Sequence, residues 1–412
     1  MPEMGRVADR HDRHVNLWRG TVRSAGTERC DFAVIGAGPA GVSAAARLAR
    51  QGADVVLFER SRMPRDKLCA GALPVHAMSH LGFPLPPPLI DAKIHGVRIH
   101  AYGAMIEAAL QDHFAVLVTR SRFDEFLVEK ARECGARTEW NEVASVTVEA
   151  GQALLRTAQR SVAAKCAIIC EGASRRLSRS LMPAEPRDEQ WFCVQAHVPA
   201  SADRGPGDVP RLLDLYFGIV PFGYGWAFDH GSYWAIGAAS MGPRWPRLLA
   251  TLRQLLAERG LCLSGLKPHG HFIPCAGFGH PIYGERLLVA GDAAGFGDPL
   301  HGEGMAHAIR SGQLAAEVAM AAESRKDFSR ESLREYAARC WQEFGGDLQW
   351  ARRLARVIYH WQGPLFKAAA RDARILTEYL SVPCGRRTYG GYLRWLLPRL
   401  PLLWLCSKGR PA

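Results

Sequence analysis

Cys69 lies in the run RDKLCAGALP, two residues after Lys67 and two before Gly71. A lone thiol beside a cation is either a buried filler or a group that donates a proton or positions a ligand. Small neighbours on its C-terminal side let backbone and ligand come close. Further on, Tyr224, Trp226 and Phe228 alternate in YGWAF. In a strand this spacing sets all three rings on one face, which either fills a core or lines an apolar slot. His301, directly before Gly302, Glu303 and Gly304, is a third group able to move a proton near neutral pH. No C-x-x-C and no histidine at metal-ligand spacing accompanies the cysteines, so no metal is expected.

The elements that would position these groups begin with CDFAVIGAGPAGVSAAARLARQGADVVLFER. Asp31 to Ile35 reads as a buried parallel strand, and Gly36, Gly38 and Gly41 form G-x-G-x-x-G. Pro39 and Ala40 open an Ala-rich helix that runs to about Gln51, and a second strand, Ala53 to Phe58, ends in Glu59. Gly36 permits the tight turn, Gly38 lets a pyrophosphate approach the backbone, and Gly41 allows close helix–strand packing. The helix N-terminus offers free N–H groups to phosphates. Glu59 is spaced to accept ribose hydroxyls. Arg60 and Lys67, in the loop beyond it, join the expected cofactor contacts. This unit alone serves FAD or NAD.

A second signal is GERLLVAGDAAGFGDPLHGEGMAHAIRSGQLAAEVA. Arg286 to Ala290 reads as a strand closed by Gly291 and Asp292. Pro299 to Gly304 forms a loop that opens a helix from Glu303 to about Ala321. The segment resembles the second FAD signature of flavoproteins related to p-hydroxybenzoate hydroxylase. That resemblance implies that Asp292 holds the ribitol chain and that the helix N-terminus faces the flavin N1 and O2 edge. A dipole there suits the negative charge of reduced flavin. VTRSRFDEFLVEKA carries the R-x-x-F-D pattern of the same group, which implies Arg120 near FAD.

Two stretches narrow the branch. PRDKLCAGALP resembles the K-x-C-x-G of the geranylgeranyl reductase family, and GYGWAFDHGSYWAIGAA is similar to its Y-x-W-x-F-P followed by G-x-G. Tyr224, Trp226, Phe228 and Gly237 match, whereas Asp229 and Ala239 replace the usual proline and second glycine. The resemblance implies reduction of isoprenoid C=C bonds by reduced FAD on a prenyl-chain substrate. Cys69 would lie by the flavin, Tyr224 and His301 would be rival proton donors, and Tyr224, Trp226, Phe228 and Gly237 would form the substrate slot. No second G-x-G-x-x-G is present for a nicotinamide. Electrons are expected from transiently docked NAD(P)H or from a reduced carrier. Cys170-Glu171-Gly172 stands where relatives carry Asp-Gly, which bears on the mode of reduction more than on the fold. An aromatic hydroxylase of the same fold, using NAD(P)H and oxygen, is the competing enzyme, and a membrane-associated electron carrier the competing non-enzyme.

The resulting architecture is α/β: a Rossmann-type FAD-binding domain, an inserted antiparallel-sheet substrate domain and a C-terminal helical region. Residues 1–27 read as a flexible basic lead. The FAD-binding domain takes 28–85, 113–185 and 280–325. The substrate domain takes 86–112 and 186–279, entered at the Pro-rich FPLPPPLI. Helical patterns occupy 326–412. At 412 residues, with 48% hydrophobic and 22% charged residues, the chain is globular in composition. No apolar run is long enough to span a bilayer, and the lead has no signal-peptide core. Eleven scattered cysteines suit a reducing, cytoplasmic setting. The net charge is +12, and from Arg325 onward 17 Lys and Arg face 7 Asp and Glu. YLRWLLPRLPLLWLCSKG either packs on the protein's own core or lies in the interface of an anionic membrane, on its inner face. No nucleic-acid partner is expected.

Overall fold

The computed structural model describes residues 27–181, 190–200, 211–241, 245–275 and 277–399. Most of the basic lead and the last thirteen residues of the tail, Leu400 to Ala412, lie outside these.

One sheet is built on parallel pairing. Its path runs β16 (Tyr283–Gly284), β17 (Leu287–Val289), β10 (Ser161–Ile169), β1 (Glu28–Ile35), β2 (Val55–Phe58) and β7 (Arg137–Glu139). Val34 aligns with both Leu57 and Ile168, so the end of β1 sits between strands that finish at the same level. β8 (Val143–Glu149) and β9 (Gln152–Thr157) form an antiparallel flap onto β10. The central strands are apolar runs without alternation because helices cover both faces of such a sheet. Phe32, Val34, Val55, Leu57 and Ile168 are fully buried in this core.

Two helices cross at the heart of that layer. α1 (Pro39–Arg50) starts with Pro at its first position, and α5 (Met305–Arg325) runs beside it. They approach so closely that a methyl group on Gly312 would overlap the Ala40 carbonyl. The two FAD signatures, about 260 residues apart, are thereby locked together. α3 (Arg120–Glu133) packs on α1, and α6 (Arg330–Cys340) on α5. A short helix, α2 (Val75–Ser79), also leans on α5.

The second sheet is mainly antiparallel, in the order β15 (His269–Pro274), β11 (Gln190–Pro199), β14 (Tyr233–Met241), β13 (Gly223–Asp229), β12 (Arg211–Phe217), β4 (Ala92–Ala101), β6 (Ala115–Leu117), β3 (Ala72–Pro74). β5 (Ala104–Ala109) extends the edge at β4, and among the described residues only the β12–β4 pair is parallel. α4 (Trp245–Ala257) covers the outer face with Leu248, Leu252, Leu255 and Leu256. The inner face shares one hydrophobic cluster with the C-terminal helices α7 (Gly346–His360), α8 (Gln362–Arg371), α9 (Arg374–Leu380) and α10 (Tyr389–Leu396). β3 follows the Cys69 stretch directly, so the K-x-C-x-G run is strung between the two sheets.

Candidate active site

The glycine turn has the geometry its residue types demand. Gly36 has φ +102°, and a side chain there would collide with the Cys170 carbonyl. At Gly41 a methyl would overlap the Gly36 carbonyl. Gly38 differs: a Cβ there would meet nothing within 4 Å. It borders open space at the start of α1, which is where a pyrophosphate would sit. Glu59 is buried, and its carboxylate accepts the Ala37 amide (2.9 Å) and the Ser61 amide (3.1 Å). It therefore braces the turn as well as facing the space meant for a ribose. The residues present fit a dinucleotide.

A cavity of about 1000 Å³ begins at this turn. Gly36, Gly38, Pro39, Ala40, Glu59 and Arg60 line one end. Gly291, Asp292, Gly302, Glu303 and Gly304 line the next section, with Lys67 and Arg120 between. Gly304 brings the start of α5 close to Asp292, whose Oδ1 would lie 3.2 Å from a Cβ at that position. Burial pushes Glu303 above its ordinary value. Gly41, Pro299 and Gly237 do not touch the cavity but shape its walls. The Pro299 carbonyl accepts the Trp191 indole N–H at 3.3 Å.

Arg120 is buried and bound to Asp124 in a fork, through Nε (2.8 Å) and Nη2 (2.9 Å). Burial opposes its charge, but Asp124, aided by Cys69, outweighs that and holds the proton firmly. Arg65, unremarked in the sequence, also reaches Asp124 (3.2 Å). Lys67 Nζ donates to His271 Nε2 at 2.7 Å. Burial lowers the Lys67 ammonium from its usual range despite the nearby Asp292. Burial, then the Lys67 charge, pushes His271 down to about 4. This polar junction borders Cys69.

Two side chains, one on β11 and one between β13 and β14, pin the Cys69 turn. Gln195 Nε2 donates to the Cys69 carbonyl (3.1 Å), and Trp226 Nε1 donates to Gln195 Oε1 (3.1 Å). His230 bridges the Ala70 carbonyl (3.0 Å) and Asp91 (2.8 Å). Gly71, at φ +82°, presses so close to the Val118 carbonyl that no side chain fits. The Cys69 thiol receives the Gly71 amide at 3.4 Å, and the Arg120 charge lies nearby.

Beyond this junction the cavity becomes apolar. Tyr224, Trp226 and Phe228 all line it from β13, joined by Trp191 and Phe217 of the same sheet. Gly237 leaves room for the Trp226 indole, which a methyl at that position would overlap. The opposite wall comes from Leu354, Ile358, Phe366, Leu376 and Leu396 of the C-terminal helices.

Tyr224 and His301 direct their protons at the protein. The Tyr224 hydroxyl donates to the His301 carbonyl (2.5 Å) and is raised by burial. His301 Nδ1 accepts the Glu303 amide (3.3 Å), so Nε2 carries the hydrogen and donates to Tyr389 Oη (2.8 Å). Tyr389 in turn donates to Asp298 Oδ2 (2.7 Å). Glu171 accepts the Leu177 (2.9 Å) and Ser178 (2.7 Å) amides, which its extra methylene allows it to reach. Among the described residues no group of three or more His, Cys, Asp or Glu is arranged for a metal ion, and no helix is long and apolar enough to cross a membrane.

A parallel sheet with a dinucleotide turn, a second glycine-rich loop at a helix start and an inserted sheet over one cavity defines a flavin oxidoreductase. The pyridine nucleotide-disulphide oxidoreductase family profile matches residues 30–199. A geranylgeranyl diphosphate reductase of Rhodobacter capsulatus is 30% identical, covering 71% of this chain and 75% of that one. Digeranylgeranylglycerophospholipid reductase 1 of Methanopyrus kandleri is 28% identical over 80% and 90%. The solved structure of a geranylgeranyl bacteriochlorophyll reductase-like protein from Thermoplasma acidophilum superposes with a TM-score of 0.75 at 21% identity, covering 90% of this chain and all of that one. The chain belongs to the geranylgeranyl reductase family of flavin oxidoreductases, and its cofactor is FAD.

Proposed function

We propose that the protein saturates C=C bonds of an isoprenoid chain bound in the apolar half of the cavity. The observation that carries this reading is the continuity of one cavity from the glycine turn, past Cys69, to the wall of Tyr224, Trp226 and Phe228. Reduced FAD, when bound, supplies a hydride for one alkene carbon. An isolated alkene has no heteroatom for an acid to grip, so catalysis rests on positioning by the aromatic wall.

The second carbon needs a proton, and Cys69 is the best-placed source. Tyr224 and His301 already donate to protein acceptors. Arg120 and Lys67 line the cavity beside the thiol. Asp292, Gly302 and Gly304 would hold the isoalloxazine and ribitol, and Gly36, Gly38 and Glu59 the adenosine diphosphate. The names of the relatives, which specify prenyl diphosphate and prenyl phospholipid reductases, support a prenyl substrate. Transient NAD(P)H or a reduced protein carrier supplies the electrons.

The test is anaerobic. Reduce the bound FAD with dithionite and offer prenyl diphosphates, prenyl quinones and prenyl glycerolipids. Mass spectrometry should find products heavier by pairs of hydrogens. Fast NADPH-dependent oxygen uptake stimulated by phenols, with no saturated prenyl product, would instead establish a hydroxylase.

A further inference from the structure

α7 is two-faced. Its inner face, with Ala351, Leu354 and Tyr359, is buried against the second sheet. Trp350, Arg353 and Val357 recur at spacings of three and four along the other side, which a helix places in one stripe, and Trp361 follows directly past the helix end. All four are exposed, Val357 to 50% and Trp361 to 62%. A helix face this apolar is unusual for water. The guanidinium of Arg353 lies over the Trp350 ring at 4.5 Å, and that of Arg399, past the end of α10, over Trp395 at 4.4 Å.

Two further observations say what meets this stripe. Val357 and Leu397 line the apolar cavity and are also exposed, Leu397 to 56%. Both residues thus join the cavity wall to accessible surface beside α7 and the end of α10. Around them the sequence from 346 to 399 carries ten Lys and Arg against three Asp and Glu. Exposed Trp interleaved with Arg beside the wall of an apolar cavity is complementary to an anionic lipid surface, where indoles sit at head-group depth and cations meet phosphates.

We propose that the Trp350–Trp361 stripe of α7 docks the protein on an anionic bilayer. A mouth at Val357 and Leu397 then faces the acyl region, so that a prenyl tail passes from lipid into the cavity without crossing water. The route rests on the prenyl reading above; the docking does not.

The test uses the full-length, FAD-loaded protein and sedimentation with vesicles of phosphatidylcholine alone or of phosphatidylcholine mixed with phosphatidylglycerol. Binding should require phosphatidylglycerol and be lost in about 1 M NaCl, where the screening length falls to about 3 Å. The double variant Arg353→Glu, Trp361→Ser should bind at least about tenfold more weakly. Its turnover of a short, water-soluble prenyl diphosphate should stay within about twofold of wild type, since neither residue lines the cavity. Equal binding to both vesicle types, or undiminished binding by the double variant, overturns the proposal. So does a chain that dimerises through the stripe and ignores vesicles, or one that binds lipid only after removal of residues 400–412. Specific vesicle binding without reduction of any prenyl compound would uphold the docking and refute the reductase reading.

Discussion

Gln195 on β11 donates its amide to the carbonyl of Cys69, 126 residues away, at 3.1 Å. The other end of that amide accepts the indole N–H of Trp226. The aromatic motif and the thiol motif are thus one hydrogen-bonded unit. Gln195→Leu should keep FAD, because Gln195 braces the thiol turn rather than the glycine turn. Prenyl reduction should fall about tenfold to a hundredfold as the thiol drifts from its place. Absorbance of bound flavin and single-turnover rates measure the two separately. The variant also strands the buried Trp226 N–H, at about 1–3 kcal/mol of stability.

Cys69→Ser should retain FAD and lose most of the alkene reduction, since a hydroxyl is a far weaker acid than a thiol at neutral pH. Rapid-quench assays on the flavin-loaded variant measure the loss. Unchanged turnover would leave Cys69 a packing residue.

Gly38→Val separates folding from cofactor binding. The space beside Gly38 is open, so the apoprotein should melt as wild type does. A pyrophosphate needs that space, so FAD affinity should drop by about a hundredfold or more. Gly36→Ala is the contrasting case, since its φ and the Cys170 carbonyl leave no room and the chain itself should destabilise. Equilibrium dialysis with FAD and thermal melts of both apoproteins check this.

Tyr389→Phe removes the hydroxyl that joins His301 to buried Asp298. A bond to a carboxylate at this depth should be worth about 1.5–3 kcal/mol in denaturant unfolding. The control is Tyr392→Phe, whose hydroxyl donates to the uncharged Ile375 carbonyl at 3.2 Å and should cost about 0.5–1.5 kcal/mol.

Burial holds three imidazoles, those of His80, His271 and His307, down at about 4. Nδ1 of His307 is buried beside the Phe344 ring with no partner among the described residues. In the unfolded chain these groups take up protons near pH 6.5, so the folded state binds fewer. Stability should therefore be full above about pH 6.5 and fall as pH drops toward 4. Thermal midpoints of the holoprotein across that window should show the decline, and His307→Leu should make it shallower.

The motif-bearing parts of this fold were legible because their residue types have few other uses. Gly36, Gly38 and Gly41 mark a turn, and the apolar run before them marks a buried parallel strand. α5 begins at Met305 rather than Glu303, and β2 at Val55 rather than Ala53, because helix and strand ends answer to local hydrogen bonds that spacing does not reveal. The alternation of Tyr224, Trp226 and Phe228 did place three rings along one wall. What stayed hidden was partnership across the chain. Gln195, His271 and Tyr389 sit in no motif, and a polar residue in a strand or helix gives no sign of which distant carbonyl or carboxylate it meets. The C-terminal helices matched no motif, and their wall-forming role arises only from their contact with the second sheet.

That contact limits how the enzyme can breathe. Tyr359 donates to the Leu300 carbonyl, Tyr389 to Asp298, and both belong to the same buried cluster as Trp191 and Trp226. Swinging the C-terminal helices away as a unit would tear open a hydrophobic core and uncover several buried hydroxyl bonds together. Such an excursion approaches the free energy of global unfolding and is too rare to serve each turnover. Traffic through the cavity must instead use rotamer changes of a few side chains at its mouth, which occur in nanoseconds. On the prenyl reading proposed above, entry would then be by threading, tail first, and long flexible chains would pass where a bulky rigid ring of the same volume would not.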